Sequence, residues 1–200
     1  MLGSAAPAPG GGAAAALCGA LGAALVQMTA NLTLGKPKLV EVQDQARDIE
    51  ARAASIRRRL QDLTDADGMA FGEVSAAYRL PRATEAQKQA RSAAIQKALE
   101  VASTVPLETT QVCAAMLRLA DEAVPILNSS AISDVVVGAL LAHAALESAA
   151  INVEINIAAL DSPDSADIFQ QRLDQARAGT AEDLARILDI GRSRYLRRKQ

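Results

Sequence analysis

Aromatic residues are scarce in this sequence, with no Trp, two Tyr and two Phe among 200 residues, although half of the chain is hydrophobic. The core must therefore be built from Ala, Leu, Val and Ile. Ala is the strongest helix former, whereas the aromatic residues that favour strands are nearly absent. The composition predicts an all-α fold in which helices approach closely. The length suits a single domain over 1–200, with flexible ends at 1–8 and 196–200.

Histidine, cysteine and excess charge of one sign are also scarce. The only histidine, His143, has no second imidazole to complete a zinc site, so we expect no metal. Cys18 and Cys113 stand in apolar segments without a CxxC spacing, which predicts free thiols and a cytoplasmic protein. The net charge of −2 predicts no general attraction to nucleic acid.

Charged side chains are absent from the first 35 residues. This stretch is long enough to cross a bilayer, but Ala and Gly dominate it, and no basic segment of a secretory signal precedes it. Polar residues also interrupt it, namely Cys18, Gln27, Thr29, Asn31 and Thr33. We therefore expect a helix buried in a bundle, from about residue 12 to residue 34, and no membrane partner.

The second predicted helix, from about residue 38, has the clearest periodicity. Apolar residues alternate spacings of three and four, which is the seam of a helix packed along an antiparallel or symmetry-related one. The seam consists of Leu39, Val42, Ala46, Ile49, Ala53, Ile56, Leu60 and Leu63.

Capping signals divide the remainder of the chain into further helices. Thr84–Gln87 is a capping box that starts the third helix, and Pro106 lies inside it. Ser133–Asp134 predicts the start of a fourth helix, and Ser162–Pro163 predicts the start of another. Thr180–Asp183 predicts a second capping box. The whole predicts an antiparallel bundle of about five long helices.

The fourth helix is apolar almost all round, which predicts burial on most sides. Its polar exceptions form two rows at helical spacing, one of them Ser148, Asn152 and Asn156, the other His143, Glu147 and Glu154.

Asp67 occupies the seam position that follows Leu63. An unpaired buried carboxylate costs several kcal/mol, so this side chain must find a partner or a wet cavity. One interpretation is a hydrogen-bonded Asp at a helix break within Asp65–Gly68. The other is a carboxylate facing a ligand pocket.

Three consecutive glycines, Gly10–Gly12, precede the first helix. A backbone without Cβ atoms lets a ligand approach closely, and a helix N-terminus attracts anions. The spacing matches neither the Rossmann nor the Walker pattern, so a flexible arm before a packed helix is an equal alternative.

Several blocks together resemble the cyclodeaminase/cyclohydrolase family of folate enzymes, in the family's order and across nearly the whole chain. They are the segments 6–12, 19–25, 31–36, 65–71, 78–81, 105–107, 132–134 and 152–156.

The resemblance implies a dimerising helical bundle with folate in a cleft near the subunit contact, and no cofactor besides this substrate. It assigns Asp67 as the catalytic acid/base. For a folate ligand, we expect the glutamate carboxylates to meet the Gly10–Gly12 amides or the side chains of Lys36, Arg79 and Arg82. Asp134 either binds the pterin or stabilises its helix start. The implied substrate-binding residues are Pro9, Gly10, Gly11, Gly12, Asn31, Lys36, Asp65, Tyr78, Arg79, Arg82, Ser133, Asp134 and Asn152.

Three functions remain open on this basis. Methenyltetrahydrofolate cyclohydrolase is favoured, because no formiminotransferase half accompanies the domain. Formimidoyltetrahydrofolate cyclodeaminase would use the same pocket, and a non-catalytic folate-binding bundle is the third reading. A homodimer is expected, with the seam of the second helix and the fourth helix as its contact surfaces.

Overall fold

The computed structural model describes residues 2–196, and this range contains helices and turns but no β-strand. The predicted all-α fold is confirmed, with six α-helices in the described range. They are α1 Gly11–Asn31, α2 Gln43–Tyr78, α3 Glu85–Ala123, α4 Ile132–Ile157, α5 Pro163–Arg177 and α6 Thr180–Tyr195. Residues 1 and 197–200 lie outside the described part, and the flexibility expected of 1–8 and 196–200 stays a prediction.

The four long helices form an up-down-up-down bundle. Gly11 lies beside Asn152 and Gly22 beside Gly138, so α1 and α4 run antiparallel. Short connections join α1 to α2 and α2 to α3, and each consecutive pair is antiparallel. Helices α5 and α6 pack on α3 and α4.

The predicted seam of α2 is confirmed as part of the core. Its buried members join side chains of α1, α3 and α4 in one apolar cluster. The expectation that this seam makes the dimer contact is wrong, because its side chains are already covered within the chain. The fully or almost fully buried members are Ala46, Ile49, Ala53, Leu60 and Leu63.

Helices α1 and α4 cross with their backbones in contact at Gly22 and Gly138. A Cβ at Gly22 would lie 2.6 Å from the carbonyl oxygen of Gly138, and a Cβ at Gly138 would lie 2.7 Å from that of Gly22. Only glycine fits on either side of such a crossing. This contact explains how a core of small side chains can still be dense.

Helix boundaries near α1 and α2 differ from the prediction. α1 ends at Asn31, and turns lead to Gly35, whose φ of +72° favours glycine. A 3₁₀ segment, Pro37–Val42, precedes α2, and α2 then continues without interruption through Asp65–Gly68. The helix break offered as one explanation for Asp67 is therefore absent from this helix.

Helices α4 and α6 begin within two residues of their predicted starts, but the predicted caps are wrong. The 3₁₀ turn Ser129–Ala131 leads directly into α4, so Ser133 lies inside the helix instead of capping it. Thr180–Asp183 forms no capping box, because Gly179 occupies the cap position and the Thr180 hydroxyl donates to the carbonyl of Arg177. The box at Thr84–Gln87 is confirmed, with both of its hydrogen bonds formed.

Two helical segments, α1 and Ser129–Ile157, are long and apolar enough to cross a membrane, and about half of each is buried in the bundle. Their outer sides form one exposed apolar surface, here called the α1/α4 face. The expectation that α4 is buried on most sides is wrong for this surface. The large exposed side chains of the α1/α4 face are Leu17, Leu21, Met28, Val137, Leu140, Ile151 and Ile155.

Candidate active site

A cleft of about 290 Å³ opens where α1 begins. Because α1 starts level with Asp67, the last three turns of α2, to Tyr78, extend beyond it. The N-terminal arm and the end of α4 border the space left there. The cleft is lined by Pro7, Ala8, Gly10, Gly11, Gly12, Asp67, Ala70, Phe71, Val74, Ala102, Asn152 and Asn156.

Asp67 links α2 to the first turn of α1. Its Oδ2 accepts a hydrogen bond of 2.9 Å from the backbone N–H of Ala13. That N–H belongs to a helix start and has no acceptor within its own helix, and the positive end of the dipole favours a carboxylate there. Within residues 2–196, Oδ1 of Asp67 has no hydrogen-bond partner. The carboxylate is thus oriented through one oxygen while the other remains available in the cleft.

Gly12 provides the space that this carboxylate occupies. A Cβ at Gly12 would stand 2.0 Å from Oδ1 and 2.7 Å from Cγ of Asp67, which is far inside contact distance. A Cβ at Gly11 would instead lie 3.8 Å from its nearest neighbour, Nδ2 of Asn152, which is an ordinary contact distance. Gly12 is therefore required by the position of Asp67, whereas Gly11 is not.

Two asparagines of α4 complete the polar lining. Nδ2 of Asn152 donates to the carbonyl oxygen of Ser148 at 2.8 Å, and Nδ2 of Asn156 donates to that of Ala102 at 3.0 Å. These bonds orient each side-chain amide and leave its Oδ1 as the group without a partner among the described residues. The side chains of the cleft thus present hydrogen-bond acceptors, while the amides of Gly11 and Gly12 supply donors.

Burial in the cleft raises the pKa of Asp67 above the usual value for Asp, and the Ala13 N–H opposes that rise. Desolvation is the larger effect, so the net direction is upward. A carboxylate with a raised pKa is a stronger base than an exposed one. Asp67 therefore combines a fixed orientation, an available oxygen and increased basicity.

The predicted binding residues fall into three groups, and the first lies at the cleft. Gly10, Gly11, Gly12 and Asn152 line the same cleft as Asp67. Pro9 adjoins Gly10 and is half-buried without lining the cleft.

Other predicted residues of α2 and the following turn lie elsewhere. Asp65 is exposed and lies two positions before Asp67, on another side of the helix. Tyr78, half exposed, packs against the guanidinium of Arg91. Arg79 and Arg82 are exposed beyond it, at the far tip of the α2–α3 hairpin.

The remaining predicted residues lie at the opposite end of the bundle. Asn31 is the last residue of α1, Lys36 follows that helix, and Ser133 and Asp134 belong to the first turn of α4. At 1.5 Å per residue, about 27 Å of helix separates Asp134 from Asn152. These four residues therefore cannot contact a folate ring held in the same chain's cleft, and a role in binding remains a prediction.

Asn156 and Val74 line the cleft, although neither was assigned to it from the sequence, and Phe71 lines it as well. Asn156 was recognised only as one of a polar row, and that row was the available signal. The apolar pair could not be told from core residues by spacing alone. In residues 2–196 no group of three or more His, Cys, Asp or Glu side chains is arranged to hold a metal.

Known proteins resemble this chain in sequence over most of its length. A profile of the formiminotransferase-cyclodeaminase family matches residues 1–175. Methenyltetrahydrofolate cyclohydrolase of Methylorubrum extorquens is 46% identical over 160 residues, which cover 80% of this chain and 77% of that protein. Formimidoyltransferase-cyclodeaminase of Rattus norvegicus is 31% identical over 171 residues, or 86% of this chain but 31% of that longer protein.

A solved structure has the same fold. The crystal structure of formiminotetrahydrofolate cyclodeaminase from Thermotoga maritima superposes with a TM-score of 0.87 and 26% identity, over 96% of this chain and 92% of that one. Fold, sequence and family profile agree over most of the chain, which therefore belongs to the formiminotransferase-cyclodeaminase family.

Proposed function

We propose that this protein is a methenyltetrahydrofolate cyclohydrolase, which hydrolyses 5,10-methenyltetrahydrofolate to 10-formyltetrahydrofolate. The observation that carries the proposal is the oriented, partly buried Asp67 in a cleft bordered by acceptor oxygens. The 46% identity to a protein of that name over four-fifths of the chain supports this choice.

The cleft suits the substrate chemically. A methenyl bridge between two nitrogens is a delocalised cation, and a nearby carboxylate favours its binding. The pterin of tetrahydrofolate has a flat pyrimidine half whose edge carries N–H donors, which match the oxygens of Asn152 and Asn156. Phe71 and Val74 supply apolar contact for its faces. The volume of about 290 Å³ is near the lower end for ligand pockets, so the glutamate tail extends outside.

The reaction requires one base that also acts as an acid. Asp67 takes a proton from water as the water oxygen bonds to the methenyl carbon, which forms a neutral carbinolamine. Protonated Asp67 then returns that proton to N5 as the carbon–N5 bond breaks. The hydroxyl loses its proton to solvent as the formyl carbonyl forms. One water is consumed and one proton released, and a positioned base of this kind contributes about 10²- to 10⁴-fold.

Cyclodeaminase activity is the second candidate, supported by the family profile and by the fold shared with the Thermotoga maritima enzyme. There, N10 of formiminotetrahydrofolate would attack the formimino carbon and ammonia would leave. The same carboxylate could transfer the protons that this reaction needs.

Near-ultraviolet absorbance separates the candidates, since the methenyl compound absorbs there and its ring-opened product does not. Loss of absorbance from methenyltetrahydrofolate, faster than the spontaneous rate, supports the cyclohydrolase. Growth of absorbance from formiminotetrahydrofolate, with release of ammonia, supports the cyclodeaminase instead. No enzyme-dependent change with either substrate would contradict both and leave a non-catalytic folate-binding bundle.

We further propose that the α1/α4 face is covered by a second copy of the chain. This surface carries several large exposed apolar side chains, and α1 has no charged residue. Exposed apolar patches of this kind mark association surfaces. A two-fold contact of two such ridged surfaces is the commonest closed arrangement.

Light scattering after size exclusion tests this contact. The native protein should have twice the chain mass of 20.8 kDa, and Leu21→Glu, in the middle of the face, should give single chains. Ile168→Glu on α5, similarly exposed, is the matched control and should leave the mass unchanged. A monomeric native protein, or a lipid-bound one, would contradict the proposal.

A further inference from the structure

Pro106 leaves one main-chain carbonyl of α3 without its helical donor. A proline has no N–H, so the carbonyl oxygen of Ala102, four residues earlier, receives no bond from position 106. α3 nevertheless continues through this point as one helix from Glu85 to Ala123. Both Pro106 and Ala102 are buried or nearly so, and a buried carbonyl needs a partner.

Asn156 of α4 supplies that partner. Its Nδ2 donates to the oxygen of Ala102 at 3.0 Å, across the α3–α4 contact. An asparagine amide can flip, and which of its two ends faces a cavity depends on its hydrogen bonds. Here the nitrogen is committed to the main chain. Because Asn156 lines the cleft, its Oδ1 is the end that a ligand would meet.

We propose that Asn156 is a substrate-binding residue whose Oδ1 accepts a hydrogen bond from an N–H of the pterin ring, and that Pro106 positions it by freeing the carbonyl of Ala102. This inference rests on the proposed folate substrate. It assigns one role to a side chain in contact with ligand and another to a proline that contacts only the supporting chain.

The spacing along α4 supports the pterin edge as the donor. Asn152 adjoins Gly11 at the start of α1, near the level of the Asp67 carboxylate, and Asn156 lies one turn further along. One turn is about 5.4 Å, comparable to the width of a fused two-ring system. A ring whose reacting side faces Asp67 therefore extends its opposite edge toward Asn156. An acceptor at that position selects for a ring that presents N–H groups.

Three variants and a double variant test the inference. In Asn156→Ala the acceptor is lost, and affinity should fall about three- to tenfold, the usual range for one hydrogen bond. In Pro106→Ala the new N–H donates a helical hydrogen bond to the Ala102 carbonyl oxygen. The side-chain amide of Asn156 is then less firmly held, and affinity falls severalfold. In Pro106→Ala/Asn156→Ala affinity should equal that of Asn156→Ala. Asn156→Asp, which cannot donate to Ala102, should also bind weakly.

Binding is measured by calorimetry with 5-formyltetrahydrofolate, a stable folate, and turnover with methenyltetrahydrofolate. We expect KM to rise in these variants while kcat stays within about twofold. The melting temperature of Pro106→Ala should not fall, because a helix interior disfavours proline. A purely structural role would instead lower kcat and stability together.

The outcomes are distinguishable. Wild-type protein that fails to bind 5-formyltetrahydrofolate would overturn the proposed substrate class, and with it this inference. Wild-type binding with unchanged affinity in Asn156→Ala, or with independent multiplying effects of the Pro106 and Asn156 changes, would overturn the inference alone.

Discussion

The backbone N–H of Ala13 donates to Oδ2 of Asp67 at 2.9 Å, across 54 positions of sequence. This bond holds the start of α1 against the middle of α2 and sets the direction of the carboxylate. It gives one acidic side chain two functions, since one oxygen satisfies a helix N-terminus and the other borders the cleft.

Gly12→Ala should abolish most activity without unfolding the protein. A Cβ at position 12 would stand 2.0 Å from Oδ1 of Asp67, so the carboxylate must rotate away from the Ala13 N–H. Gly11→Ala is the matched control, because its Cβ meets nothing closer than 3.8 Å. We expect at least a tenfold difference in kcat/KM between the two variants, within the range ascribed to a positioned base. Equal activity of the two would contradict the role of Gly12.

The pH dependence of kcat/KM should show the raised pKa of Asp67. Burial moves that pKa upward, so the basic form is lost at a higher pH than for an exposed Asp near 4. Activity should therefore decline on the acid side with a midpoint above that value. The measurement is the initial rate at a series of pH values, corrected for the spontaneous reaction. A plateau that extends down to pH 4 would be inconsistent with Asp67 as the base.

Stability should respond to pH in the matching direction. Because the pKa of Asp67 is higher in the folded than in the unfolded chain, its contribution is fully present below the unfolded pKa and is lost as pH rises through the folded pKa. Ionised Asp67 thus lowers the free energy of unfolding at neutral pH. Asp67→Asn should melt at the same or a higher temperature than wild type at pH 7, and the advantage should vanish near pH 4. Thermal denaturation that shows a lower melting temperature for this variant at pH 7 would be evidence against the assigned shift.

Gly138→Ala should destabilise the bundle by about 1–3 kcal/mol, the usual range for overpacking. Its Cβ would lie 2.7 Å from the backbone oxygen of Gly22, and neither helix can yield at one point alone. Gly72→Ala, in α2 with nothing within 4 Å, should instead stabilise by up to about 1 kcal/mol through helix propensity. Urea denaturation measures the change in the free energy of unfolding for each variant. Changes of the same sign in both would show that the α1–α4 crossing is looser than the contact between Gly22 and Gly138 implies.

The architecture was predictable because its signals are local or periodic. The α2 seam, the box at Thr84 and the scarcity of aromatic residues each predict helical structure, and the structure agrees with each. Helix ends were less predictable. Ser133 and Thr180 have the chemistry of N-caps, but a preceding 3₁₀ turn and a left-handed glycine, respectively, took the cap position instead.

The site could be predicted only in part, because it depends on which helix ends meet in space. Asp67 breaks an apolar pattern, and that signal needs no tertiary information. The distance of Asp134 from the cleft does require tertiary information, because it follows from the antiparallel order of α1 and α4. A prediction of Asn156 would have required more tertiary information, because its orientation depends on a carbonyl that a proline on another helix leaves unbonded.

The most direct test of the central claim is the rate of methenyltetrahydrofolate hydrolysis by Asp67→Asn, at equal saturation with substrate. The variant keeps the shape of the side chain and can still accept from Ala13, but it cannot take a proton from water. Hydrolysis followed by near-ultraviolet absorbance should fall at least a hundredfold, while 5-formyltetrahydrofolate still binds. Turnover within a few-fold of wild type would contradict the assignment of Asp67 as the base.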